Sequence, residues 1–268
     1  MIEEIFKKNR PLRIASKSFN RNPELDENLK AYISDYLLHL NITVEDITQQ
    51  YWSFIDEYRK SCEIFKGNGL YPHQYRELKS FDRSYYDIAL LLSLLVAEHR
   101  YSIIKELISL DLSSSKKVLL IGIGSGIELD LLVNLKKGVN FEIDAYDLSI
   151  GDYVKERFEE SINLYEEKFK GGESKYDLII AIELLEHIEA PLNLLEDCYK
   201  SLNSNGSCFV TTATNMPQED HLYNFSDLEL FENQCYKIGF QVDQKKDIIH
   251  KGSFNSIQSK NTIYLLKK

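Results

Sequence analysis

The sequence predicts an α/β fold: a doubly wound, seven-stranded sheet with an antiparallel terminal hairpin, preceded by a helical cap. Three observations carry this. From Lys116 onward, short apolar runs alternate with amphipathic helical stretches, the pattern of a mostly parallel sheet covered on both faces. A glycine-rich turn leads directly from the first run into a helix. Before Leu112 the periodicity is helical, with no glycine outside Gly67 and Gly69. The expected division is a helical, substrate-binding cap over residues 1–112 and a cofactor-binding domain over 113–268.

In the cap, Thr43-Val-Glu-Asp46 reads as a helix start, followed by the apolar stripe Tyr51, Trp52, Phe54, Ile55 and Tyr58. Gly67-Asn-Gly69 stops it. A second long helix is expected from about Arg83 to Ser109. Its apolar centre, Ile88 to Ala97, is about half the ~20 residues of a membrane span and reads as buried.

The expected strands are Val118–Ile121, Phe141–Tyr146, Ile162–Tyr165, Tyr176–Ile182, Cys208–Thr212, Phe240–Ile249 and Thr262–Leu266. Pro191 opens the helix Leu192–Leu202, and Asn205-Gly206 turns the chain into the fifth strand. Ser226-Asp-Leu-Glu229 reads as a capping box flanked by the staple pair Phe225 and Leu230, and Gly239 ends that helix.

Charge and composition bound the function. With 32 Lys+Arg against 42 Asp+Glu the net charge is −10, which disfavours nucleic acid and anionic membranes as partners. The N-terminus places acids before its apolar residues, so no leader is expected. Cys62, Cys198, Cys208 and Cys235 lack metal-ligand spacing, and they read as free thiols in a reducing, cytoplasmic setting. Oligomeric state stays open, a homodimer included.

Val118-Leu-Leu-Ile-Gly-Ile-Gly-Ser-Gly126 carries the chemistry. Gly122 and Gly124 permit a tight turn, and Gly126 lets a ligand approach the helix N-terminus. The dinucleotide spacing needs a further glycine at 127, where Ile127 stands, which disfavours a nicotinamide enzyme. Asp147 at the end of the second strand is placed to accept hydrogen bonds from ribose hydroxyls, or to cap the segment that follows.

These residues resemble the class I S-adenosylmethionine-dependent methyltransferases. Leu119–Gly126 is similar to their first motif, Tyr146-Asp-Leu-Ser149 to their ribose-binding segment, and Tyr176–His187 to their fourth-strand motif. Leu202–Gly206 and Ile238-Gly-Phe240 follow in the family's order. The resemblance implies a Rossmann-like domain that binds S-adenosylmethionine through Gly122, Gly124, Gly126, Asp147, Leu148, Glu166 and Ile182. It implies methyl transfer to oxygen or nitrogen of a small-molecule acceptor. One departure stands out: Leu120 occupies the position of the family's acid, which helps organise the cofactor's methionine end. Glu128 or a residue of the helical region is the expected substitute. That departure also keeps open a non-catalytic binding module, which binding without turnover would identify.

In this architecture the ends of strands four and five face the transferred methyl group, so Glu183, His187 and His221 become the catalytic candidates. Tyr71, Arg76, Tyr85, Tyr86 and Asn215 are the substrate-binding candidates; packing alone also explains the tyrosines. Glu183-Leu-Leu-Glu-His187 puts three polar groups on one helical face if the segment is helical. With His221 the set resembles that of metal-dependent small-RNA 2′-O-methyltransferases and, in part, ubiquinone-pathway O-methyltransferases. The expected enzyme uses no metal; a divalent ion on Glu183, Glu186, His187 and His221 is the alternative.

Overall fold

The computed structural model describes residues 1–74, 83–135, 141–251 and 257–268, with positions 83–85 and 135 described for their backbone only. Among the described residues six α-helices come first: α1 (Ile2–Lys8), α2 (Arg10–Ala15), α3 (Pro23–His39), α4 (Val44–Asn68), α5 (Arg83–Val96) and α6 (Glu98–Ser109). Strands β1 (Lys117–Ile121), β2 (Glu142–Asp147), β3 (Asn163–Glu166) and β4 (Tyr176–Ala181) follow, with α7 (Ile127–Leu135) after β1 and α8 (Asp152–Phe158) after β2. The chain ends with α9 (Pro191–Ser201), β5 (Leu202–Thr214), α10 (Leu228–Ile238), β6 (Gln241–Ile249) and β7 (Lys260–Lys267).

The sheet order is β3-β2-β1-β4-β5-β7-β6. The first five strands pair in parallel, and β7 runs antiparallel between β5 and β6. The order reverses between β1 and β4, and in an open α/β sheet ligands bind beyond the C-terminal strand ends at that point.

Strand side chains alternate between two cores. Val118 and Leu120 of β1, Leu178 and Ile180 of β4, and Phe209 of β5 pack with the N-terminal helices, α7 and α8. Leu119, Ile121, Ile179, Ala181 and Val210 face α9 and α10. Leu120 is therefore a core residue, 3% exposed, beneath the helical layer. All four cysteines are buried free thiols. Among the described residues no helix is long and apolar enough to cross a membrane.

The Thr43 start and the Gly69 stop are both present. The Thr43 hydroxyl accepts from the Asp46 N–H at 3.1 Å, and Gly69 caps α4 with φ 72°. The single helix expected over 83–109 is instead two, because Ala97 is extended (φ −110°, ψ 113°). Apolar periodicity continues through that break, so the sequence carries no mark of it. The cap of α10 is Asp227, whose side chain accepts from the Leu230 N–H at 2.9 Å, rather than Ser226. Strand β5 starts earlier than expected, at Leu202, and holds Asn205-Gly206 within a register shift, where Asn205 takes φ 69°.

Gly122, Gly124 and Gly126 all have positive φ (74°, 49° and 78°). A Cβ on Gly126 would stand 2.8 Å from the Tyr32 hydroxyl and 3.0 Å from Val154. Gly126→Ala is expected to destabilise the protein by about 1–3 kcal/mol in urea unfolding, through backbone strain and this clash. Gly172→Ala is the control: nothing lies within 4 Å of its Cβ position and its φ is ordinary. It should be neutral or slightly stabilising.

Candidate active site

The strand ends and the helical layer enclose a cavity of about 970 Å³. One end is the turn after β1. The Gly122 N–H donates to the Tyr146 carbonyl at 2.8 Å, and the Gly124 N–H donates to Asp147 Oδ2 at 2.9 Å. Asp147 Oδ1 accepts from the Ser149 N–H at 3.0 Å, while the cap of α8 is Gly151. An ionised carboxylate has further lone pairs on both oxygens, and Asp147 lines the cavity. From above, the Tyr32 hydroxyl of α3 donates to the Ser125 carbonyl, tying the helical layer to the turn.

The opposite wall comes from the loops after β4 and β5. Glu183, directly beyond Ile182, has φ 50°, a left-handed conformation that is costly for a side chain larger than glycine. Three elements hold it. Its N–H donates to Thr211 Oγ1 at 2.7 Å, Asn261 Nδ2 donates to Oε1 at 2.6 Å, and Arg100 Nη1 donates to Oε2 at 3.1 Å. After it the chain forms only a three-residue 3-10 turn, Leu185–His187. The shared helical face expected for Glu183, Glu186 and His187 is therefore absent: the left-handed residue ends the helix geometry that the spacing requires. Glu183 turns toward α6 and β7, while Glu186 and His187 turn toward His221.

Glu186 and His221 are buried and His187 half-buried, and one ligand-type atom from each of the three lies within 4.8 Å of the others. The His187 and His221 rings meet edge to face at 4.7 Å. His187 Nδ1 faces Asp220 twice, at 3.1 Å from its carbonyl and 3.2 Å from its carboxylate. Burial pulls the His187 pKa down, but the Asp220 carboxylate outweighs it and the imidazole is pushed up to about 9. Burial, reinforced by the His187 charge, drops His221 to about 3. Burial and the neighbouring Glu183 raise Glu186 to about 8. Both carboxylate oxygens of Glu186 and Nδ1 of His221 are buried with no hydrogen-bond partner among the described residues.

The other expected residues distribute as follows. Gly122, Gly124, Asp147, Ile182, Glu183, His187, His221 and Tyr86 line the cavity. Gly126 is buried behind the turn. Leu148 is 76% exposed and Glu166 accepts from the Ile150 N–H, so neither lines this cavity. The Tyr71 hydroxyl accepts from the Met216 N–H at 2.9 Å, and the Asn215 carbonyl accepts from the Ser259 hydroxyl. Both brace the loop after β5 from outside the lining. Arg76 and the Tyr85 side chain lie outside the described residues.

Several lining groups carried no sequence signal. Asp220 is the exception, since it directly precedes His221. Arg100 and His99 reach the cavity because α6 restarts at Glu98, and His250 stacks on His99 with ring centroids 3.7 Å apart. Burial followed by the His250 charge holds His99 well below the usual imidazole range.

The family model of the methyltransferase domain matches residues 96–246, more than half of the chain. The chain belongs to this methyltransferase family. It is an enzyme of the class I S-adenosylmethionine-dependent kind, and S-adenosylmethionine is its cofactor. No curated protein matches it in sequence. An O-methyltransferase family protein from Burkholderia thailandensis is similar in structure, at 12% identity and a TM-score of 0.54, covering 81% of this chain and 70% of that one. The cyclopropane synthase MmaA2 from Mycobacterium tuberculosis is similar at 13% identity and a TM-score of 0.51, covering 63% and 84%. An O-methyltransferase of a Brevibacillus brevis polyketide multienzyme, bound to S-adenosylhomocysteine, has 13% identity and a TM-score of 0.48, covering 62% and 71%.

In this methyltransferase Asp147→Ala removes the acceptor at the end of β2. Hydrogen bonds to a charged group contribute about 1.5–3 kcal/mol, so the Kd for S-adenosylhomocysteine should rise roughly 10- to 100-fold in calorimetry while the protein stays folded.

Proposed function

We propose that the enzyme transfers the methyl group of S-adenosylmethionine to a hydroxyl oxygen of a small-molecule acceptor, which Glu186, His187 and His221 activate. The observation that carries this reading is the close Glu186–His187–His221 group, whose two imidazoles share a cavity with the glycine turn. A sulfonium methyl needs only an aligned nucleophile, and alignment alone can be worth several kcal/mol. An amine that arrives neutral needs no further help. A hydroxyl does, because its proton has to leave as the new C–O bond forms. A cluster of proton- and cation-binding groups therefore favours oxygen over nitrogen.

The residues fit a divalent cation. Two imidazoles and a carboxylate supply a mixed nitrogen and oxygen set. Each unpartnered buried group costs about 1–3 kcal/mol, and the Glu186 oxygens and His221 Nδ1 are such groups, in residues that each bring one ligand-type atom to the cluster. Asp220 holds His187 from the far side, the way a carboxylate orients a metal-binding imidazole. When bound, such an ion supplies positive charge that lowers the pKa of the acceptor hydroxyl. Glu186, His187 and His221 would hold it; Glu183, committed to Arg100, Asn261 and Thr211, would not.

Size and charge support a small acceptor. About 970 Å³ is at the upper end of single-ligand sites, room for cofactor and acceptor together. Tyr51, Phe54, Tyr58 and Leu90 give the acceptor half an aromatic and apolar wall.

In metal-stripped protein, saturating Mn²⁺ should raise Tm by several degrees for wild type and leave Glu186→Gln and His221→Ala unmoved. In assays with methyl-labelled cofactor and paired phenol and aniline panels, label should reach hydroxyl acceptors, and His221→Ala should reduce it about 100-fold. Transfer to amines alone, or transfer untouched by both substitutions, would contradict the reading.

A further inference from the structure

The N-terminal helices carry a charge pattern that the methyl-transfer site does not use. Between Lys7 and Arg21 the chain has six cations and no acid, whereas the remainder has 26 cations against 42 acids. In the fold, α1, α2, α3 and the end of α5 bound a groove of about 650 Å³. Lys7, Arg13, Lys17, Arg21 and Lys30 line it, against Glu3 and Asp26. Both acids are matched from within: Asp26 accepts from Arg21 Nε at 2.7 Å, and Glu3 lies 4.0 Å from Lys30 Nζ. Lys7, Arg13 and Lys17 have no side-chain ion pair or hydrogen bond among the described residues. Three uncompensated cations therefore line one groove of a chain whose net charge is −10.

Arg21 gives that groove a fixed point. Its side chain is 12% exposed, and the guanidinium lies over the Phe19 and Tyr101 rings at 4.9 and 4.4 Å. Nη1 donates to the Leu95 carbonyl at 2.8 Å. Nη2 of the same group is buried with no hydrogen-bond partner among the described residues. Buried donors are almost always paired, so an unmet one marks the place for an acceptor.

Charge selects the kind of acceptor. A carboxylate brings one negative charge, whereas a phosphate ester brings about −1.5 to −2 at neutral pH, on three acceptor oxygens. Guanidinium groups meet phosphate as a planar fork and ammonium groups as point charges, and the groove holds both kinds. Its volume suits one small molecule. We propose that this groove binds the phosphate group of a phosphorylated small molecule, at a site separate from the cofactor cavity. The two sites are neighbours along the chain: Ser18 and Leu94 line the cavity, while Lys17, Phe19 and Leu95 line the groove.

Calorimetry at about 150 mM salt, which screens exposed charges beyond ~8 Å, tests this with inorganic phosphate, ribose 5-phosphate and acetate. Wild type should bind both phosphates and not acetate. Lys7→Glu combined with Lys17→Glu should weaken phosphate binding about tenfold or more. Lys200→Glu combined with Lys237→Glu, the same charge change on α9 and α10, should leave it intact. Arg21→Lys keeps the charge but loses the fork, and should also weaken binding about tenfold. A ligand-free Tm within about two degrees of wild type shows that a variant is folded, and the two lysine pairs decide alone if Arg21→Lys is not. No phosphate binding, equal binding of acetate, or binding untouched in the folded groove variants would overturn the proposal. So would competition between phosphate and S-adenosylhomocysteine, which would put the anion in the cofactor cavity. Capture by vesicles of phosphatidic acid in phosphatidylcholine, without binding of the soluble phosphates, would make the source a membrane headgroup and overturn it as well.

Discussion

The constraint on which the rest of the site depends is the shape of the turn between β1 and α7. Three glycines in left-handed conformations bend the chain so that α7 starts at the switch point of the sheet. The turn is closed from both sides. Leu184 would lie 2.8 Å from a Cβ on Gly122, and the Tyr32 hydroxyl lies equally close to the Cβ position of Gly126. A side chain at either position would have to displace Leu184 or Tyr32 and hold a left-handed backbone, so both positions favour glycine. The contact with Tyr32 also makes the helical layer part of the site, because one hydrogen bond from α3 holds the Ser125 carbonyl.

A second backbone constraint, opposite the first, divides the polar residues into two sets. The left-handed Glu183 ends β4 and directs its carboxylate to Arg100, Asn261 and Thr211, a set drawn from α6, β7 and β5. The chain then reverses, and the Leu222 and Tyr223 N–H groups donate to the Glu186 carbonyl. Those bonds bring the loop after β5 against the 3-10 turn and hold His221 beside His187. The strain at Glu183 is thus what separates a satisfied ion-pair network from a group of buried donors and acceptors left unsatisfied. Protein stability alone would favour removing the second group, which makes it the place where a ligand is expected to act.

Strands and glycine turn are legible in the sequence because their signals are local. Val118–Ile121 and Tyr176–Ala181 are apolar runs of strand length, and glycine spacing needs no tertiary context. The same holds for Thr43 and Gly69 at the two ends of α4. Features of the site set by distant partners were not legible. The break at Ala97 interrupts no pattern, yet it brings His99 and Arg100 into the cavity. Three residues far away in sequence hold Glu183 out of the helical conformation that its spacing suggests. Arg100 and Asn261 carry no motif, and their roles exist only once β7 lies beside β5. His187 and His221 stood out as residue types, whereas their coupling through Asp220 and the orphaned state of Glu186 required the folded chain.

The central claim is that one cavity holds the cofactor across the glycine turn and presents its reactive end to the Glu186–His187–His221 group. A crystal structure of the complex with S-adenosylhomocysteine tests it most directly. The expected result is ribose on the Asp147 carboxylate, with the sulfur directed into the cavity toward the His187 and His221 rings. Ribose away from Asp147, or sulfur directed away from both imidazoles, would contradict the account.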